Sequence, residues 1–336
     1  MDKSVVLGFS GGIDSCTAAQ HLRDEGYRVV ALTINTTNDR TLLDKAQAKA
    51  KELGIEWMEY DAVELFRKEI IDYFTSSYAK GYTPAPCTLC NTRIKWRILS
   101  EVADSLGIYH IATGHYLNIV KHNGHLYIAR ALDSSKDQSY YLWGVSESTL
   151  RRTLTPMSRI LKSDIRQNFS DKRESMGICF LGGCHYTDFL ISQGIALNPG
   201  DIVDQAGMVL GRHNGIARYT IGQRRGTGIP EGLRIISIDA CNNRLIVGNN
   251  CELYKQTLYI NDCHIIDPDE VLAADDITIM IRGIGRNPER PVKVEKHNNG
   301  YRITCDDAAW APALGQPLVL YRNNLVIGGG IICGFE

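Results

Sequence analysis

The chain has 336 residues, 44% of them hydrophobic and 22% charged, with a formal net charge of −1. Single cores rarely grow beyond about 250 residues, so two or three domains are expected, and no run approaches the roughly 18 apolar residues of a membrane helix. The near-neutral charge argues mildly against a nucleic-acid partner, which favours a basic surface, while leaving room for a local basic face.

Met1-Asp2-Lys3-Ser4 lacks the charged-then-apolar layout of a signal peptide, so a cytoplasmic address is expected. Val5-Val6-Leu7-Gly8-Phe9 then reads as a buried strand, followed by a Gly-rich turn and a helix from about Asp14 to Glu25. Tyr27 to Ile34 and Ile55 to Tyr60 read as strands, with a helix over Thr41 to Leu53 between them and another ending near Tyr78. Ile108 to Ala112 is a further apolar strand, and Asn123-Gly124 is a hairpin signal. Strands alternating with helices of this length imply an α/β fold with a doubly wound parallel sheet. After about Leu190 the helical periodicity fades. Leu233–Ile238, Leu245–Gly248, Ile277–Ile281, Val292–Glu295, Tyr301–Cys305 and Leu318–Tyr321 read as strands, with turns at Asn242-Asn243 and Asn298-Asn299-Gly300. The expected layout is an α/β domain over 1–192, a small β-rich domain over 193–254 and a C-terminal β-barrel over 255–336.

Ser10-Gly11-Gly12-Ile13-Asp14-Ser15 lies between the first strand and the first helix. Two glycines let the backbone turn tightly against a phosphate, the helix start offers free N–H groups, and Ser10 and Ser15 add hydroxyls. The segment has neither the Gly-Lys-Ser/Thr ending of a Walker loop nor the Rossmann G-x-G-x-x-G pattern. It resembles the PP-loop of the N-type ATP pyrophosphatases. The plainer alternative is a Gly-rich turn with Asp14 or Ser15 as a helix cap.

Ten cysteines in a reducing compartment are mostly free thiols, so those set in motifs are the informative ones. Thr83-Pro84-Ala85-Pro86-Cys87-Thr88-Leu89-Cys90-Asn91 reads as a rigid loop before a helical run from Thr92 to Leu106. Cys90 is then expected at a helix start, with Arg93, Lys95 and Arg97 close behind, both features favouring the thiolate. Cys179, in Gly177-Ile178-Cys179-Phe180, is the second candidate. Cys87-x-x-Cys90 with Cys179 also allows three thiolate ligands to a [4Fe–4S] cluster. The basic residues Arg151, Arg152, Arg159, Lys162 and Arg166 read as an RNA-contacting or a solvated helix face.

These segments occur in one order with Ile94-Lys95-Trp96, Ala112-Thr113-Gly114-His115-Tyr116, Lys136-Asp137-Gln138-Ser139-Tyr140, Thr220-Ile221-Gly222-Gln223-Arg224-Arg225-Gly226 and Gly328-Gly329-Gly330-Ile331-Ile332. Together they resemble the tRNA-specific 2-thiouridylase family across nearly the whole chain. The resemblance implies ATP with Mg²⁺ at Gly8, Phe9, Ser10, Gly11, Gly12, Ile13, Asp14 and Ser15, with Ile34 and Gly114 near the adenosine. It implies Cys90 as nucleophile and Cys179 as persulfide carrier, with Ala85, Pro86 and Cys87 facing the target base. Contacts to tRNA of the Lys, Glu and Gln type fall to His115, Lys136, Asp137, Gln138, Gln316, Arg282 and Arg286. A persulfide-donating carrier or cysteine desulfurase is the implied sulfur source. Two departures stand out: Asn35 to Arg40 is short for the family, and Cys87 stands where many members carry an aspartate. A PP-loop ligase or amidotransferase acting on a small substrate, and a non-catalytic RNA-binding protein, are the rival readings.

Overall fold

Val5, Val6 and Leu7 have no exposed surface, because both faces of the strand they form are covered. The computed structural model describes residues 3–166, 177–226, 228–282 and 286–336. It divides into two compact units: residues 1–70, 87–176 and 324–327 in the first, and 71–86, 177–323 and 328–336 in the second.

The first unit is built on strands β1 (Ser4–Gly8), β2 (Arg28–Asn35), β3 (Glu56–Asp61), β4 (His110–Thr113) and β7 (Thr153–Leu154). They lie in the order β3-β2-β1-β4-β7, and every pairing is parallel. Helices α1 (Ile13–Asp24) and α2 (Arg40–Leu53) connect the first three strands. Ala18, Ala19 and Leu22 of α1 and Ala46 and Ala50 of α2 share one core with Val5, Leu7 and Ala31. Asp39 caps α2 through the amide of Thr41, and Gly54 ends it in the left-handed region at φ 61°. The chain leaves β1 toward β2 on one side and returns to β4 on the other. The carboxyl ends of β1 and β4 therefore diverge at a switch point, where α/β sheets bind their ligands.

The hairpin of β5 (Asn118–His122) and β6 (His125–Ala129) turns on Asn123 and Gly124, at φ 48° and 90°, as that dipeptide predicts. Its partner, which the sequence does not announce, is the segment 324–327: Leu325 pairs with Ala129 and Val326 with Ile128. The helical run 86–105 begins at Pro86, earlier than the expected Thr92, because proline is well tolerated in a first helical turn. Cys90–Trp96 within it is a π-helical stretch.

The second unit holds a four-stranded sheet in the order β10-β11-β8-β9, formed by β8 (Gly200–Val203), β9 (Val209–His213), β10 (Arg234–Asp239) and β11 (Arg244–Gly248). A barrel-like antiparallel sheet follows, from β12 (Tyr254–Ile265), β13 (Ile277–Met280), β14 (Val292–His297), β15 (Gly300–Trp310), β16 (Pro317–Arg322) and β17 (Leu325–Phe335), the last counted in this unit from residue 328 on. Asn243 and Asn298 carry the left-handed turn positions expected of them, at φ 51° and 49°. An aromatic cluster also belongs to this unit, with Phe74 edge-on to Phe180 at 5.2 Å and Tyr78 stacked on Tyr186 at 5.0 Å.

Candidate active site

The loop after β1 is braced from within. The Ser15 hydroxyl donates to the Gly12 carbonyl at 3.0 Å and accepts the Ser10 amide at 3.3 Å. Ser15 is therefore a brace rather than the free donor expected of it. Gly11 sits at φ 69°, and a Cβ there would lie 2.8 Å from Ala46 Cα, so only glycine lets the loop cross α2. Gly12 is the N-cap of α1 and provides no side-chain cap. The first-turn amides thus lack intrahelical acceptors and carry the positive end of the helix dipole.

The loop after β4 closes on this turn. A Cβ on Gly114 would meet the Asp14 carbonyl carbon and the Ser15 nitrogen at 3.0 Å each. Between the loops lies a cavity of about 300 Å³. Gly8, Phe9, Ser10, Asp14 and Ser15 line one side, and Thr113, Gly114, His115 and Gln138 another. Leu32, Ile34 and Leu99 supply apolar surface, and Lys95 supplies a cation. His115 Nδ1 lies 3.0 Å from Thr113 Oγ1, with its ring tilted against Trp96 at 5.1 Å. Burial, then the nearby Lys95, pushes the His115 pKa well below its ordinary value. The imidazole is therefore neutral at neutral pH.

Asp14, in the first turn of α1, receives the Tyr116 hydroxyl at 3.0 Å and the Lys162 ammonium at 2.5 Å. The Lys162 side chain is only 7% exposed, whereas Asp14 is 39% exposed. The Asp133 carboxylate fixes the Lys162 backbone by accepting its amide at 2.8 Å. Lys162 is thus turned inward, not displayed on a solvated face.

The two motif thiols differ in setting. Cys90, in the first unit, is buried at 6% exposure. It lies one turn inside the helical run, so the expected helix start belongs to Pro86 and Cys87 instead. Two of the cations behind it are already paired: Arg93 with Glu69 at 3.1 Å and Arg97 with Glu101 at 2.8 Å. The helix start is thus displaced from Cys90, and of the three cations Lys95 stands outside these two pairs. Cys179, in the second unit, is exposed and opens a short 3₁₀ turn, Cys179–Leu181. Glycines with positive φ flank that turn at 177, 182 and 183, while Phe180 is anchored between Phe74 and Phe189.

Three family models match the chain in succession. They are described as a tRNA methyl transferase HUP domain (residues 3–183), a tRNA methyl transferase PRC-barrel domain (187–249) and an aminomethyltransferase beta-barrel domain (255–332). A Phocaeicola vulgatus protein named tRNA-specific 2-thiouridylase MnmA 2 is 38% identical over 98% of this chain and 98% of its own. A Bacteroides fragilis protein named MnmA 1 is 36% identical over 98% and 97%, and a Clostridium acetobutylicum MnmA is 34% identical over 99% and 100%. The chain belongs to the tRNA-specific 2-thiouridylase family.

Of the RNA-facing residues that the 2-thiouridylase resemblance implies, several are engaged inside the protein. Asp137 accepts the Ala131 amide at 3.0 Å and the Ser139 hydroxyl at 2.6 Å, and Gln138 accepts the Tyr116 amide at 3.0 Å. Arg282 donates to the Ala311 carbonyl at 2.5 Å and lies over the Trp310 ring. Arg286 is exposed, and Lys136 is half-buried with its amide on the Asp133 carbonyl. Ala85 and Pro86 end a segment held by the Thr83 amide on the Leu314 carbonyl at 2.8 Å, close in sequence to Gln316. The Gln316 side-chain oxygen is buried without a hydrogen-bond partner among the described residues. In the basic cluster, Arg152 binds the Ile108 and Tyr109 carbonyls and Asp104, and Arg151 pairs with Glu147. Arg159 is exposed, and the Arg166 side chain lies outside the described residues.

Among the described residues, no three His, Cys, Asp or Glu side chains are grouped to hold a metal ion. No helix there is long and apolar enough to cross a membrane. All ten cysteines are free thiols. Sequence reasoning missed Lys162, Tyr116 and the pocket position of Lys95. The Asp14–Lys162 contact spans 148 residues, and no local pattern signals a pairing at that range.

Proposed function

We propose that this chain is a tRNA uridine 2-sulfurtransferase, using ATP to adenylate the C2 oxygen of the wobble uridine and then replacing that oxygen with sulfur. The observation that carries the reading is the cavity over the uncapped first turn of α1, held open by Gly11 and Gly114, in a chain of the 2-thiouridylase family. Leu32, Ile34 and Leu99 suit a purine, and the free amides suit phosphates. Lys95 adds positive charge to the cavity. Asp14 is the carboxylate that would hold Mg²⁺, which supplies charge neutralisation for the phosphates. An anion-cradling loop serves adenylation and has no task in methyl transfer.

In the proposed sequence the uridine C2 oxygen attacks the α-phosphorus and pyrophosphate leaves. The terminal sulfur of a Cys179 persulfide adds at C2, and AMP departs with the original oxygen. Cys90 thiolate then attacks Cys179 Sγ. The sulfur–sulfur bond to the base breaks, 2-thiouridine is released, and a Cys90–Cys179 disulfide remains for a dithiol reductant to reset. The target base leaves its stack to react, as for other base-modifying enzymes. The tRNAs are those for Lys, Glu and Gln, with sulfur from a persulfide carrier or cysteine desulfurase. Nucleoside mass spectrometry of tRNA from a strain lacking this gene tests the proposal. Loss of 2-thiouridine, restored by the wild-type gene but not by Cys179→Ala, is expected. Unchanged 2-thiouridine in a strain without a second such gene overturns it. Stoichiometric iron and acid-labile sulfide in anaerobically purified protein, lost with Cys87→Ala, would replace the persulfide route by a cluster.

A further inference from the structure

The second unit contains a cavity of about 770 Å³ that the reaction above does not use. Two sequence motifs meet there. His185, Tyr186 and Thr187 follow the Cys179 turn, while Thr220, Gln223 and Gly226 belong to Thr220–Gly226. Among the described residues, no Asp or Glu lines the cavity. Its one permanent cation among the described residues is Arg218, whose Nε donates to the Asn214 carbonyl at 3.0 Å and whose Nη1 reaches Thr187 Oγ1 at 3.5 Å. Arg218 forms no ion pair among the described residues. These two contacts leave part of a five-donor fork uncommitted.

The walls around the guanidinium are rigid. Tyr186 is stacked on Tyr78, and the Tyr219 hydroxyl accepts the Asn214 amide at 3.4 Å. Gln223 is pinned at both ends, accepting the Thr220 amide at 3.1 Å and donating to the Arg225 carbonyl at 3.3 Å. Arg225 is exposed, and a Cβ at Gly226 would meet open space.

A cavity whose described lining holds a braced arginine and no carboxylate suits an anion. In a chain of net charge −1 that cation is not part of a general basic coat. One arginine fork matches a singly charged phosphodiester, whereas a free nucleoside di- or triphosphate calls for more cations. Tyrosine and histidine surfaces beside it suit an unstacked base, and the volume lies within the range of about 300–1,000 Å³ typical of ligand sites. We infer that this cavity is a second RNA subsite, in which Arg218 holds one backbone phosphate of the tRNA and Tyr186 and His185 receive the adjoining nucleotide. The inference rests on the proposed tRNA substrate. It places a register-fixing contact on the chain segment that follows the sulfur-carrying thiol.

The test is tRNA binding by the full chain across a salt series, for wild type, Arg218→Gln and Arg218→Lys, with unmodified tRNA for Lys as probe. Arg218→Gln is expected to weaken binding about tenfold and lower the log–log salt slope by about one, with Arg218→Lys keeping the wild-type slope. In turnover, Arg218→Gln raises KM for tRNA while kcat at saturating tRNA and KM for ATP stay unchanged. An unchanged slope overturns the subsite, whether affinity is kept or lost, since a bracing role or an acidic protein partner would leave the slope alone. Should Arg218→Gln not fold, Gln223→Glu places a carboxylate in the cavity while keeping the Thr220 acceptor; tRNA binding unaffected by it also overturns the inference. A wild-type chain that does not bind tRNA at all removes the proposed function, and this subsite with it.

Discussion

His115 and Lys95 line one pocket, and the imidazole takes the consequence. A histidine with a depressed native pKa stays neutral when folded, while the unfolded chain takes up a proton below about pH 6.5. The associated stability is therefore complete above about pH 6.5 and is lost as pH falls toward the lower native value. The melting temperature of the wild type should drop more steeply than that of His115→Asn between about pH 7.5 and 5.5. His213, also pushed down by burial, is present in both proteins, so the comparison isolates His115. Parallel curves would contradict a neutral native imidazole. Lys162 makes a second residue-scale case. Replacing it with Met leaves Asp14 with the Tyr116 hydroxyl but no cation, beside amides meant for phosphate. We expect kcat/KM for ATP to fall about 10- to 100-fold, because a misplaced carboxylate repels the phosphates it should help bind. Calorimetric ATP affinity equal to wild type would reduce the pair to a packing device.

At the scale of elements, two loops must approach within van der Waals contact for the phosphate cradle to exist. Gly114→Ala pushes the loop after β4 and the first turn of α1 apart by a few tenths of an ångström, since its Cβ would sit 3.0 Å from two backbone atoms. It should abolish ATP binding while the melting temperature changes little, whereas Gly26→Ala, whose Cβ meets open space at φ 86°, should cost only stability. ATP bound normally by Gly114→Ala would mean the cradle does not form the site. The cradle was legible because its signals are local: buried apolar β1, the glycine pair and the start of α1 lie within a few residues. The Asn-centred turns were legible for the same reason, each fixed by one residue that tolerates the left-handed region. The start of the 86–105 run was misplaced because Thr-Pro-Ala-Pro reads as extended chain, yet its second proline occupies a first helical turn without losing a needed N–H. Strand β12 escaped because Tyr-Lys-Gln-Thr-Leu-Tyr-Ile-Asn-Asp-Cys-His-Ile alternates poorly, and its order comes from partners β15 and β17 that are remote in sequence.

Across the whole molecule the proposed chemistry is divided. The nucleotide cradle and Cys90 belong to the first compact unit, and the exposed Cys179 belongs to the second. Activation of the base and delivery of sulfur should therefore separate by mutation. Cys179→Ala removes a side chain with no part in the cradle, so the full chain should bind ATP as tightly as wild type and still form AMP-linked tRNA. It should make no 2-thiouridine from any sulfur donor. Cys90→Ala should also activate the base, but it should stall with the tRNA joined to Cys179 through a disulfide that a small thiol releases, visible as a reducible protein–RNA adduct on a denaturing gel. Gly114→Ala should do neither step. A Cys179→Ala protein that turns over at the wild-type rate would leave the thiol without a role and return the chain to a PP-loop ligase that adenylates some other acceptor, since adenylation alone makes no demand on a second unit.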